Sequence, residues 1–179
     1  MSDQKVLLLA GGSGSIGSAI ARQALAHGWK VALHGRTQEK VTALVTGLSY
    51  LGTVDGFIAD VWEEEAAESL IAEVVEQYGR LDAVIDCVST GPLGITGLLP
   101  ETAPETFGDF LNVSVGWAER LALASYGFLA TQGGTFIALV SDAGIYAAAR
   151  QSLIGAARAG TIGFIRNFAV EAARDGIRA

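Results

Sequence analysis

Apolar positions along the chain fall into two alternating kinds of run. Five are short and nearly unbroken, at 6–10, 30–34, 56–60, 83–88 and 135–140, the pattern of strands buried on both faces. Between them lie longer segments with helical spacing of apolar residues, at about 15–27, 38–46, 63–78, 105–130 and 151–174, which the periodicity predicts as helices. Strand–helix alternation of this kind predicts an α/β fold, a doubly wound parallel sheet with helices on both faces. The acidic run Glu63-Glu64-Glu65 reads as the first turn of a helix, where carboxylates meet the positive end of the dipole. No linker or low-complexity stretch interrupts the alternation, so residues 1–179 are read as one domain.

The last residues, Asp175-Gly176-Ile177-Arg178-Ala179, read as the turn into a sixth strand. The C-terminal strands of such a fold are therefore expected to be absent from this chain. The run Phe136-Ile137-Ala138-Leu139-Val140 is of buried type and a poor solvent edge, so continuing chain or a partner is expected to cover it.

Composition narrows the partners. A chain of 179 residues that is 50% hydrophobic can bury a substantial core. Twelve Lys+Arg against 19 Asp+Glu give a net charge of −7, which disfavours nucleic acid and anionic membrane and favours a small-molecule substrate. No apolar run approaches the ~18 residues of a spanning helix. The stretch Met1-Ser2-Asp3-Gln4-Lys5 leads into the first strand without a leader pattern, so a cytoplasmic location is expected. The single cysteine, Cys87, excludes an internal disulfide, and His27 and His34 stand near no Cys cluster, so no metal site is expected.

The candidate chemistry begins where the first strand opens into Ala10-Gly11-Gly12-Ser13-Gly14-Ser15-Ile16-Gly17 and a helix follows. Glycines allow a sharp turn and close approach to a phosphate, and the free N–H groups of the helix start favour an anion. Gly12-x-Gly14-x-x-Gly17 at a strand-to-helix junction suits a dinucleotide pyrophosphate, the alternative being a plain tight turn. After the second strand comes His34-Gly35-Arg36-Thr37, with no acidic residue to hold an adenosine ribose. Arg36 suits a 2′-phosphate, which points to NADP (NADPH) over NAD, the alternative being an ordinary surface arginine.

From the glycine loop to the last helix the chain resembles the short-chain dehydrogenase/reductase family, whose Rossmann-like fold agrees with the strand pattern. The family's loop glycines are matched by Gly11, Gly14 and Gly17, with Ala10 in place of its Thr and Ser15 where its commonest spacing has Gly. The resemblance implies cofactor contacts by Gly11, Ser13, Gly14, Ser15, Ile16 and Gly17. It implies an adenine contact by Asp60-Val61, although Asp60 also suits a helix cap. The family's Asn-Asn-Ala-Gly reads here Asp86-Cys87-Val88-Ser89; the backbones of Cys87, Val88 and Ser89 are expected beside the cofactor, and Asp86 replaces an amide by a carboxylate. Cys87 is read as a small buried apolar residue and not as a nucleophile. Asn112 matches the family's relay asparagine and Ser141 its catalytic serine, with local hydrogen bonding as the alternative for each.

One segment breaks the pattern. Where the family's catalytic helix carries Tyr-x-x-x-Lys, this chain has Ile154 and Arg158. Loss of a positioned general acid costs about 10²–10⁴ in rate. Arg158 keeps a positive charge and can reach the nicotinamide ribose, but is effectively never neutral. Tyr146 is the candidate substitute acid, eight residues before Ile154 or about 12 Å along a helix, so only a folded-back loop would deliver its hydroxyl. Two functions stay open: an NADP(H) oxidoreductase acting on a small carbonyl or alcohol, with Ser141, Asn112, Arg158 and Tyr146 as its catalytic set, or a catalytically inactive NADP(H)-binding sensor or assembly partner. The small residues Gly155, Ala159 and Gly163 on the last helix permit close packing between copies, so a homodimer or homotetramer is expected, as in the family.

Overall fold

A computed structural model describes residues 4–89 and 95–179; the first three residues of the N-terminal stretch read above lie outside the described residues. Five parallel strands form one sheet in the order β3-β2-β1-β4-β5, with β1 (Val6–Ala10), β2 (Lys30–Gly35), β3 (Val54–Ile58), β4 (Ala83–Asp86) and β5 (Thr135–Ala138). The order reverses between β1 and β4. In an open α/β sheet that switch point makes a crevice beyond the carboxyl ends of the strands.

β1 shows why the sheet is two-sided. All five residues are buried, Val6, Leu8 and Ala10 in one core and Leu7 and Leu9 in the other, as the two-residue period of a strand demands. On one face α1 (Ser15–Ala26) and α2 (Gln38–Leu48) contribute Ala21, Leu25, Val41 and Leu48. On the other, α3 (Ala66–Tyr78), α5 (Trp117–Gln132) and α6 (Ser152–Ala172) contribute Leu70, Val74, Trp117, Leu121 and Ala157. Each large apolar side chain so enclosed is worth about 1.5–3 kcal/mol over its exposed state. The first face is less complete, because a groove of about 440 Å³ lined by Ile20, Ile85 and Ile137 lies over β4 and β5.

Several boundaries differ from the sequence pattern. β4 ends after Asp86: Cys87 N–H makes one last bond to β1 at Ala10 O, 2.8 Å, and Val88 N–H then turns back on the Asp86 carboxylate at 2.9 Å. The acidic triplet precedes α3 instead of opening it, since Glu63 N–H closes a turn on Asp60 O. The predicted long helix at 105–130 is interrupted: α4 (Glu105–Leu111) passes through a π-type turn at Asn112–Gly116 before α5 begins. Such widened turns often mark functional sites. At the C-terminal end, Gly176 adopts a left-handed φ of 76° and Ile177 is buried. Arg178 then pairs with β5, its N–H on Gly134 O and its carbonyl accepting Phe136 N–H. Among the described residues no helix is long and apolar enough to cross a membrane.

Candidate active site

The crevice is built by close backbone approach. Gly11 has φ +71°, and a Cβ there would lie 3.0 Å from the carbonyl carbon of Cys87 and the nitrogen of Val88. Only glycine accommodates both the dihedral and the contact. Gly17 plays the matching part in α1, where a Cβ would come within 2.5 Å of Gly12 Cα. The N-cap, Gly14, supplies no side-chain cap, leaving the first-turn amides of α1 available to an anion.

Beneath this loop runs a buried polar network. Gly11 N–H donates to His34 Nδ1 at 3.1 Å, and His34 Nε2 lies 3.0 Å from Ala59 O. Only a neutral imidazole protonated on Nε2 satisfies both partners; burial holds this histidine below its usual range, against smaller opposing effects of Ala59 and Asp60. The ring stacks on Trp117, with centroids 5.9 Å apart. Trp117 Nε1–H in turn donates to Asp86 Oδ1 at 3.3 Å. The carboxylate that replaces the family's amide thus ties the end of β4 to α5 and to its own loop. Burial pushes the Asp86 carboxyl up to about 6, while its bonds from Val88 and Trp117 and the Arg158 charge pull the other way.

Two adjoining cavities open above the network. One, of about 300 Å³, is lined by Ser13, Arg36, Thr37, Lys40, Val61 and Val88. The other, of about 380 Å³, is lined by Ser15, Ile16, Ser141, Gln151, Ile154 and Arg158. Gly11, Gly14, Cys87 and Ser89 border both, and Gly17 borders the second. Among the proposed cofactor contacts Asp60 alone is elsewhere: its Oδ1 accepts Trp62 N–H at 3.2 Å, and it lines an acidic depression with Glu63, Glu64 and Glu65. The bond from Trp62 closes a local turn and does not cap α3, whose N-cap is Glu65. The Cys87 thiol is pushed up to about 11 by burial and by Asp86, so it is a neutral group and no nucleophile.

The proposed catalytic set is only partly assembled. Ser141 lines the second cavity, its Oγ accepting Ala143 N–H at 3.2 Å. Arg158 lines it too and is 8% exposed; burial draws its pKa down and Asp86 opposes that, and it remains a cation. Asn112 is exposed and does not line the cavity, because the Arg120 guanidinium captures its Oδ1 at 3.0 Å. Tyr146 is 70% exposed. Its N–H is fixed to Asp142 O at 2.8 Å in the turn after Ser141, and its side chain is not among those lining the cavity. Neither joins Ser141 and Arg158. Of the small stripe on α6, Gly155 faces its own chain at Ala143 O, while nothing approaches Gly163.

Sequence reasoning missed His34, Thr37, Lys40, Gln151 and the part played by Trp117. A histidine inside an otherwise apolar strand was the available signal for the network, and Lys40, one helical turn beyond Arg36, for a second cation in the first cavity. Gln151 carried none. Among the described residues no group of His, Cys, Asp and Glu could hold a metal.

Comparison with known proteins agrees with this architecture. A sequence model of the Enoyl-(Acyl carrier protein) reductase family matches residues 10–179. Carbonyl reductase family member 4 of Xenopus laevis is 30% identical over 175 residues, covering 97% of this chain and 72% of that protein. A short-chain dehydrogenase from Mycobacterium smegmatis superposes with a TM-score of 0.90 at 29% identity, covering 98% of this chain and 74% of the other. An actinorhodin polyketide ketoreductase variant solved with NADPH gives 0.89 at 28% identity, covering 98% and 67%. Of some other relatives the chain spans 63% of the length. The chain belongs to the short-chain dehydrogenase/reductase family, a family of oxidoreductases.

Proposed function

We propose that the crevice holds NADP(H) and that the chain is a short-chain dehydrogenase/reductase-type oxidoreductase for a small carbonyl or alcohol substrate, impaired in proton transfer. The observation that carries the cofactor reading is the glycine cradle opening onto a cavity with Arg36 and Lys40 on its rim. Both cations suit a 2′-phosphate, and no carboxylate is among the described residues lining that cavity. The first-turn amides of α1 suit a pyrophosphate. When bound, the nicotinamide supplies hydride chemistry. The chain's own residues orient and polarise: the Ser141 hydroxyl, which donates to Asp142 Oδ1 at 3.3 Å, would turn to a carbonyl oxygen, and Arg158 places a positive charge where ribose hydroxyls would lie. At 154 an alkyl side chain offers no proton. Fluorescence titration tests the cofactor reading. NADPH is expected to bind more tightly than NADH, and equal affinities would overturn it.

A second reading, a nucleotide-binding sensor or assembly partner without turnover, is favoured by one observation: no other phenol replaces the missing acid, since Tyr146 faces solvent. In either reading the protein is cytoplasmic and self-associates as a homodimer or homotetramer through α5 and α6, on which Leu123 and Val170 are exposed. A strictly monomeric mass across micromolar concentrations would refute the assembly.

A further inference from the structure

We infer that the second cavity takes the carboxylate of a compact, otherwise apolar monocarboxylic acid, with Arg158 as its counter-charge; this rests on the reading of the crevice as a cofactor-and-substrate site.

Arg158 is 8% exposed and lines the cavity, yet among the described residues its guanidinium makes no hydrogen bond and has no carboxylate within ion-pair distance. Its guanidinium nitrogens are not sealed from water, but charged side chains this deeply enclosed are ordinarily paired. Asp86 does not serve. Its attraction reaches Arg158 across space, from beyond ion-pair distance. Ribose hydroxyls can occupy some of the donors but carry no charge.

The walls define the rest of the ligand. Arg158 is the one charged side chain among the described lining residues. Ile16, Leu139, Val140 and Ile154 give apolar surface, while Ser141 and Gln151 add uncharged hydrogen-bonding groups. A planar guanidinium fork matches two carboxylate oxygens bidentately, which neither a ketone nor an alcohol can reproduce. Ile154 then has a positive role: it packs the apolar body of the ligand instead of protonating an alkoxide.

Benzoate and benzamide, equal in shape and different in charge, are the probes. Each is titrated calorimetrically into the full chain, alone and saturated with NADP⁺. Benzoate is expected to bind saturably at one site, and benzamide about tenfold to a hundredfold more weakly. Arg158→Met is expected to remove the preference and Arg158→Lys to keep part of it. Equal binding of the two probes, undiminished benzoate binding by Arg158→Met, or no saturable benzoate binding would each overturn the proposal. Should Arg158→Met fail to fold by circular dichroism, the benzoate–benzamide comparison in the unaltered chain decides. NADPH binding is followed separately by fluorescence. Its absence alongside selective benzoate binding removes the cofactor reading alone, and its presence without selectivity removes the anion site alone.

Discussion

The two halves of the crevice differ in what the chain has kept. On the side of Arg36 and Lys40 the glycine loop approaches the β4 end within a Cβ's width, and the described lining groups include two cations and no carboxylate. On the side of Ser141 and Arg158 the wall that would carry an acid is the alkyl side chain of Ile154, and Asn112 and Tyr146 face elsewhere. The first half depends on backbone geometry that the fold itself needs: a side chain at Gly11 or Gly17 would collide with the neighbouring chain whether or not a nucleotide bound. The second depends on single terminal atoms, which can be lost without disturbing the sheet. Binding and turnover are separable in such a site.

The largest expected effect comes from rebuilding the second half. Ile154→Tyr together with Arg158→Lys returns a phenol whose pKa a neighbouring ammonium lowers, facing Ser141. Reduction of aldehydes and ketones, followed as NADPH consumption, is expected to rise by about 10²–10⁴ over the unaltered chain. Tyr146→Phe is expected to leave the residual rate unchanged. A brisk unaltered enzyme that Tyr146→Phe abolishes would erase the contrast between the halves, and bound NADPH without any gain would show that more than the donor is missing.

Legibility follows the same division. The five strands, their parallel arrangement and the glycine cradle were readable because buried runs and the strand–glycine–helix junction are local patterns. The π-type turn at Asn112–Gly116 was not, because one extra residue in a helix leaves the apolar period nearly intact on either side. The capture of Asn112 by Arg120 and the outward turn of Tyr146 are tertiary events with no local signal. Asp86 was visible as a departure, but its tie to Trp117, 31 residues away, required the fold.

Asp86 lies under both halves, and its substitution gives the next largest effect. Its folded pKa of about 6 stands above the ordinary 3.8, so folding favours the protonated form. The associated stability is fully present below pH 3.8 and is lost as pH rises through about 6. Asp86→Asn removes this dependence. In urea melts the stability of Asp86→Asn relative to the parent is expected to grow by up to about 3 kcal/mol between pH 4 and pH 8. A difference independent of pH would mean that the carboxyl is not held toward its neutral state.

Within the nucleotide half, Arg36→Ala is expected to weaken NADPH binding by about tenfold and to leave NADH unchanged. Lys40→Ala should act in the same direction by less, since Lys offers a point charge where Arg offers a fork. Equal losses for both nucleotides would assign Arg36 to some other part of the cofactor, and no loss would leave the preference without a basis in this cavity.

The smallest effect tests whether the loop itself is held by His34. Its folded pKa lies below 6.5 because burial outweighs the opposing pull of Ala59 and Asp60, so folding favours the neutral ring. The stability tied to it is present above pH 6.5 and is lost as pH falls from there toward the folded value. Asp86 titrates in the same window with the opposite sign, so the measurement belongs in the Asp86→Asn background. There His34→Asn can still accept Gly11 N–H but does not titrate, and its melts should lack the acid-side decline. His34→Phe keeps an aromatic face for Trp117 and loses the acceptor, so it should be less stable at every pH and bind NADPH more weakly than His34→Asn. If the two variants bind NADPH alike, the Gly11–His34 bond does not set the loop, and the preorganisation of the nucleotide half rests on the glycine contacts alone.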